Sequence, residues 1–151
     1  MKKICVVLLT IFIFSGEALY SQEDIRSYPP WAILNATYAG DIDLMRNILE
    51  VNPDRDVRDA FGGTALHIAI FQNNLQVIRF LLDNGFDINA AATSNGYTPL
   101  HYCVWTNNYD AARLLLAYNA DRNIKCNDGF TPVERATREG KRDMILLLMR
   151  Q

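Results

Sequence analysis

Cysteine is scarce in this chain. Three in 151 residues are too few for a small fold held by a disulfide framework. Histidine is scarcer still, with two, and neither stands in a zinc-type grouping with paired cysteines. There is no glycine-rich phosphate loop and no Ser/Cys-His-Asp grouping suggested by spacing. Charge of one sign is lacking too: 15 Lys+Arg stand against 17 Asp+Glu, a net of −2 with no long block of either. A nucleic-acid binder would show a basic patch, so that class is disfavoured. What the chain does have is apolar material, 50% of residues, with 7 Tyr, 7 Phe and 2 Trp. That is enough to build the core of one domain and too much for disorder.

The N-terminus separates from the rest. Met1-Lys2-Lys3 is a short basic segment, and Ile4 to Phe14 is an uncharged apolar run. Ser15-Gly16-Glu17-Ala18 then places small residues where a signal peptidase reads. The pattern predicts a secretory signal peptide over 1–18, with cleavage as late as 21 as an alternative. A membrane anchor is the rival reading, but a span needs about 20 apolar residues. Cleavage after Ala18 would leave a chain with two cysteines, Cys103 and Cys126, and no segment fit for membrane insertion. In an exporting compartment these two could pair. Cys103 lies in an apolar helical stretch and Cys126 in an Asn/Asp/Gly loop, so a buried thiol and a free loop thiol are the preferred reading.

The remainder is a repeat. Thr64, Thr98 and Thr131 are 34 and 33 residues apart. Gly62, Gly96 and Gly129 precede them by two residues, and Leu66, Leu100 and Val133 follow by two. Small residues Ala69, Cys103 and Ala136 follow by five, and Leu81-Leu82, Leu115-Leu116 and Leu148-Met149 by seventeen and eighteen. The same register projected back reaches Trp31, Ile33, Ala36, Gly40 and Ile48-Leu49. Each copy reads as a glycine turn, a capping Thr and a short helix ending at Gly40, Asn73, Asn107 or Gly140. Pro99 and Pro132 fit the first helical position. A second helix then carries the Leu pair and ends at Asn52, Gly85 or Asn119, types that tolerate a left-handed cap. One such unit cannot bury its own apolar stripe. Stacking does, which makes a solenoid.

Gly63-Thr64-Ala65-Leu66-His67-Ile68-Ala69 and Gly96-Tyr97-Thr98-Pro99-Leu100-His101 resemble the T-P-L-H-x-A signature of ankyrin repeats. Leu81 to Asn89 and Leu115 to Asn123 are similar to the L-L-x-x-G-A-D-x-N segment of that family. The resemblance covers roughly 31–151. It implies an all-α ankyrin solenoid with short β-hairpin-like turns, preceded by the signal peptide and a lead-in over 19–30. The four repeats fall at about 31–58, 59–91, 92–125 and 126–151. Three departures stand out. The first copy starts at Tyr28-Pro29-Pro30 without a glycine turn. The third holds one extra residue among Ala90 to Asn95, and the fourth has Val133-Glu134 in place of Leu-His.

In the resembled pattern His67 and His101 tie the helix start to its preceding turn. The competing reading makes His67, His101 and Cys103 metal ligands, but a ligand set needs three or four convergent groups. Asp54, Asp56, Asp87 and Asp121 read as turn residues. Asn35-Ala36-Thr37 has the form of a glycosylation sequon, yet it falls within a packed helix. No cofactor is expected and no catalytic residue is assigned.

The resemblance also implies a concave binding face, made by the fourth, third and first residues before Thr and the seventh and eighth after it. Those positions hold Tyr28, Tyr38, Phe61, Phe71, Tyr97, Trp105 and Phe130, varied in type yet aromatic. Tyr38, Phe61, Phe71, Tyr97, Trp105, Phe130 and Arg138 are the expected protein-binding residues, since aromatics anchor interfaces. Met144 to Met149 is continuously apolar, with Leu146 where Arg46, Arg79 and Arg113 stand in the other copies. Either these side chains pack inward or this end docks on a partner or a second copy. The expectation is a non-enzymatic module that binds another protein in a bacterial periplasm, or in the secreted space as the alternative. It would act as inhibitor, immunity protein or protective factor, as a monomer or weak homo-oligomer, without nucleic acid. A self-assembling structural protein using the apolar C-terminal helix is the alternative class.

Overall fold

The structure is a computed structural model that describes residues 28–150. The segment expected to be a signal peptide and most of the expected lead-in lie outside these residues. Among the described residues eight helices follow one another in four pairs: α1 (Ala32–Ala39) with α2 (Ile42–Val51), α3 (Ala65–Phe71) with α4 (Leu75–Asp83), α5 (Pro99–Thr106) with α6 (Tyr109–Ala117), and α7 (Pro132–Arg138) with α8 (Arg142–Met149). No strand occurs among the described residues. The inner helices α1, α3, α5 and α7 pack each on the next, as do the outer helices α4, α6 and α8. This is the stack of helix pairs the repeat predicts.

The residues at fixed register explain the stack. Thr64, Thr98 and Thr131 sit in extended backbone and open α3, α5 and α7 with capping boxes. The small residues five positions on, Ala69, Cys103 and Ala136, are wholly buried, which lets successive inner helices approach closely. Leu66, Leu81, Leu100, Leu115 and Leu148 fill the core between pairs. Each contributes about 2 kcal/mol by leaving water. Gly40, Asn73, Asn107 and Gly140 take left-handed backbone and turn the chain into the outer helix. Gly85 and Asn119 do the same after α4 and α6. Asn52 does not: its φ is −126°, because Pro53 follows and forces the residue before it into extended backbone.

Asp41, Asn74 and Asn108 each accept a backbone N–H at the start of an outer helix, from Leu44, Val77 and Ala111. Asn108 also donates Nδ2–H to the carbonyl of Ile70 in the preceding repeat, at 3.2 Å. Lys141, the fourth residue of this series, keeps the backward contact, from Nζ to the Val104 carbonyl at 2.6 Å, but makes no cap. Accordingly α8 has no side-chain cap.

The turns are tight loops closed by Asp59 N–H to Gly63 O, Ala92 N–H to Tyr97 O and Cys126 N–H to Phe130 O. The middle loop is one residue longer, which places the extra residue of the third copy at the loop tip. Neighbouring tips are joined backbone to backbone, Thr93 N–H to Gly62 O at 3.1 Å and Asn127 N–H to Asn95 O at 3.0 Å. Cys103 and Cys126 are both unbridged. Cys126 is a free thiol in the loop, as expected, and it is buried at the loop base. Asp54, Asp87 and Asp121 each accept an N–H two residues on, as turn residues do.

Candidate protein-binding site

The loop tips and inner helices enclose an open cleft of about 490 Å³. Tyr38, Phe61, Phe71, Tyr97 and Trp105 line it, so the structure brings together five of the seven expected residues. Phe61 is 73% exposed, Phe71 59%, and Tyr38 and Trp105 51% each. Leaving such rings in water is unfavourable by area alone. Phe71 and Trp105, at equivalent positions in successive repeats, stack with centroids 5.9 Å apart. The repeat spacing therefore sets the ring spacing.

Four residues of the expected concave face are placed differently. Tyr97 is only 7% exposed: it stacks on His101 at 5.3 Å, and the guanidinium of Arg135 from the next repeat covers its other side at 5.3 Å. Its ring forms wall rather than anchor. Tyr28 is buried as well and closes the core ahead of α1. Phe130 and Arg138 lie outside the cleft, where Arg138 stacks over the Phe130 ring at 5.0 Å as a separate patch on the fourth repeat.

Tyr102 was not among the expected residues. It is half-buried in the cleft wall, edge-on to Trp105 at 5.6 Å and to His67 at 4.6 Å. Burial raises its phenol pKa above the usual value. Its equivalents Ile68 and Arg135 also line the cleft. A sequence signal existed: this position, four after the Thr, carries Asn35, Ile68, Tyr102 and Arg135, whereas scaffold positions recur in kind. It also lies one helical turn before the exposed ring of the same helix.

Below the cleft the histidines are fixed by hydrogen bonds at both nitrogens. His67 Nδ1 accepts from the Thr64 backbone N–H at 3.1 Å, and Nε2 meets the Tyr97 carbonyl at 2.9 Å. A backbone N–H can only donate and a carbonyl can only accept, so the ring is neutral with its proton on Nε2. His101 repeats this with Thr98 N–H and the Phe130 carbonyl. Each histidine thus caps its own helix, as the resemblance implied, and also fastens the next repeat. Burial pushes the His67 pKa down to about 4 and outweighs the opposing effect of the carbonyl bond. His101 is lowered for the same reason. These bonds leave no ring nitrogen free for a metal ion. Burial holds the Cys103 thiol well above its ordinary pKa, hence protonated. Among the described residues no group of three or more His, Cys, Asp or Glu side chains is placed to hold a metal, and no helix is long and apolar enough to cross a membrane.

At the cleft's far rim Arg135 pairs with Asp128 at 3.2 Å and Glu139 at 2.7 Å, and Glu139 also pairs with Lys141 at 2.7 Å. Burial would raise the Glu139 pKa, but the bonds from Lys141 and Arg135 prevail and hold it low. In α8, Met144 and Leu148 are buried while Leu146 and Met149 face outward. The apolar run is therefore divided: Ile145 and Leu147 pack partly buried against the core beside Met144 and Leu148, and two side chains are left at the surface.

The family model for ankyrin repeats (3 copies) matches residues 33–126. An ankyrin repeat protein of Rickettsia bellii (strain RML369-C) is 36% identical over 118 residues, covering 77% of this chain and 65% of that protein. An ankyrin repeat protein of fowlpox virus (strain NVSL) is 35% identical over 108 residues, covering 69% of this chain and 31% of its own length. A third relative is the ankyrin repeat, SAM and basic leucine zipper domain-containing protein 1 of Notamacropus eugenii. It is 31% identical over 115 residues, covering 73% of this chain and 24% of that protein. The chain thus spans less than two thirds of each of these relatives. The α7–α8 pair lies beyond the matched segment, yet it is joined to α5 by the same histidine-to-carbonyl bond that joins α3 to the third repeat. Matched segment, repeat register and helix-pair stack agree, and the chain belongs to the ankyrin repeat family.

Proposed function

We propose that this protein binds a partner protein through the aromatic cleft and acts by that binding alone. Ankyrin repeats are a general protein–protein interaction module and typically non-catalytic. The observation that carries the reading is the row of exposed rings, Tyr38, Phe61, Phe71 and Trp105, gathered in one cleft by repeat spacing. Covering the partner's surface would make the protein an inhibitor or immunity protein. Holding the partner in its active shape would make it a protective factor. The basic start, apolar run and small residues of the first eighteen positions support export, and we place the encounter in a bacterial periplasm or the secreted space.

The test is affinity capture from a periplasmic fraction with wild type and a Phe71→Ala/Trp105→Ala variant. Both side chains are exposed, so the variant should melt as the wild type does. Loss of the captured protein, by roughly 30-fold in affinity, is expected when central aromatic anchors are removed. Equal recovery refutes the reading. Self-association through α8 is the other reading that an observation favours, since Leu146 and Met149 are exposed there. A monomer at micromolar concentration rules it out.

A further inference from the structure

We propose that the cleft receives a cationic side chain of the partner, a lysine ammonium or an arginine guanidinium, between its aromatic walls and the carboxylate of Asp59. This rests on the cleft being the partner-binding face.

Asp59 stands at the base of the second-repeat loop and lines the cleft with Phe61, Phe71, Tyr102 and Trp105. Its Oδ1 accepts the backbone N–H groups of Phe61 at 2.8 Å and Gly63 at 2.9 Å, which fixes the carboxylate plane. Its Oδ2 receives no hydrogen bond among the described residues. The nearby cations do not neutralise it. Arg135 is held by Asp128 and Glu139, and Arg58 by Asp56 at 2.6 Å. A residue lining the ring-lined cleft therefore keeps one carboxylate oxygen without a protein donor or ion-pair partner.

Ring faces carry negative potential and attract cations, more so where water is excluded. The protein already uses this contact on the same side, with Arg135 over Tyr97 at 5.3 Å and Arg138 over Phe130 at 5.0 Å. No Lys or Arg of the described residues lies over Phe61, Phe71 or Trp105. A neutral apolar side chain would fill the cleft but strip water from Asp59 without repayment. An acidic one would meet both the carboxylate and the ring faces. A cation satisfies all of them together.

With Trp31→Phe as background, Trp105 is the single remaining tryptophan among the described residues and reports on the cleft by its emission. Acetyl-lysine methylamide and acetyl-arginine methylamide serve as probes, with the norleucine and glutamate counterparts as controls. The cationic probes should change Trp105 emission and shift the Tyr102 ring resonances, and bind about fivefold more tightly than norleucine. Asp59→Asn keeps the Oδ1 acceptor for Phe61 and Gly63, so the loop holds, yet should abolish that preference. Norleucine binding as tightly as the cations, an unchanged preference in Asp59→Asn, or no response to either cation at tens of millimolar overturns the proposal. If that happens while Phe71→Ala/Trp105→Ala still abolishes capture, the cation assignment fails and the binding face stands. If capture survives the double variant, the binding face itself fails.

Discussion

At the scale of single residues the buried histidines couple the fold to acid. His67 has a folded pKa of about 4 against 6.5 for the free side chain, so the unfolded chain binds its proton more tightly. Stability from this group is complete above pH 6.5 and is lost as pH falls from there towards 4, by about 3 kcal/mol in all. Urea unfolding at pH 7 and pH 4.5 should show the loss, and His67→Gln should reduce the pH dependence. A second residue separates local from cross-repeat work. Asn108→Ala removes both the α6 cap and a bond to the Ile70 carbonyl, whereas Asn74→Ala removes a cap alone. Denaturation should find a cost of about 2 kcal/mol for the first and about 1 for the second. Equal costs would mean that the cross-repeat bond adds nothing. At this scale the sequence was partly legible. The histidine cap could be read from the motif, because both partners lie three residues apart. Its second bond could not, since Tyr97 lies thirty positions away and offers only a backbone carbonyl. Tyr97 itself looked exposed by register, but His101 and the guanidinium arriving from the following repeat cover it.

Among elements, the loop tips offer a controlled comparison. Gly62, Gly96 and Gly129 occupy the same place in three loops, with φ of 77°, 72° and 82°. A methyl on Gly62 would come within 1.8 Å of Thr93 Oγ1, and one on Gly96 within 2.4 Å of Asn127 Oδ1. On Gly129 it would meet nothing within 4 Å. Alanine at Gly129 should cost only the backbone strain, about 1 kcal/mol. Alanine at Gly62 or Gly96 adds a clash with the next tip and should cost about 3 kcal/mol or more. Thermal melts of the three variants measure it, and three equal shifts would show that tip contacts carry no energy. Helix starts and ends were largely legible, because Thr, Pro, Gly and Asn act through local backbone geometry. Asn52 was misread because its proline neighbour outweighs its own preference. The longer third loop was legible as one extra residue, but its place at the tip required the hydrogen bonds.

For the whole molecule, stability should vary along the stack. The first repeat lacks a side-chain cap at Trp31 and carries Leu34, whose side chain cannot hydrogen-bond, where His67 and His101 make their ties. The third is packed on both sides and holds bonds in both directions. Native-state hydrogen exchange should therefore be fastest in α1 and α2 and slowest in α5 and α6. Uniform protection would mean that the stack opens as one unit. The four-part architecture was visible in the sequence because a repeated unit states its framework several times. The cleft was only half visible, because Tyr102 and Asp59 earn their places from neighbours that register alone does not supply.

The fourth copy differs at one decisive point: Glu134 stands where the histidines are, and its Oε2 accepts the Thr131 N–H at 2.8 Å. This bears on how such an array lengthens over evolution. A duplicate of the third copy would offer both a donor, His101, and an acceptor, the Tyr97 carbonyl, and so would mate with itself. A duplicate of the fourth would aim a carboxylate at a carbonyl, two electron-rich groups with no proton between them. Copying the third unit therefore keeps the histidine-to-carbonyl tie, whereas copying the fourth does not.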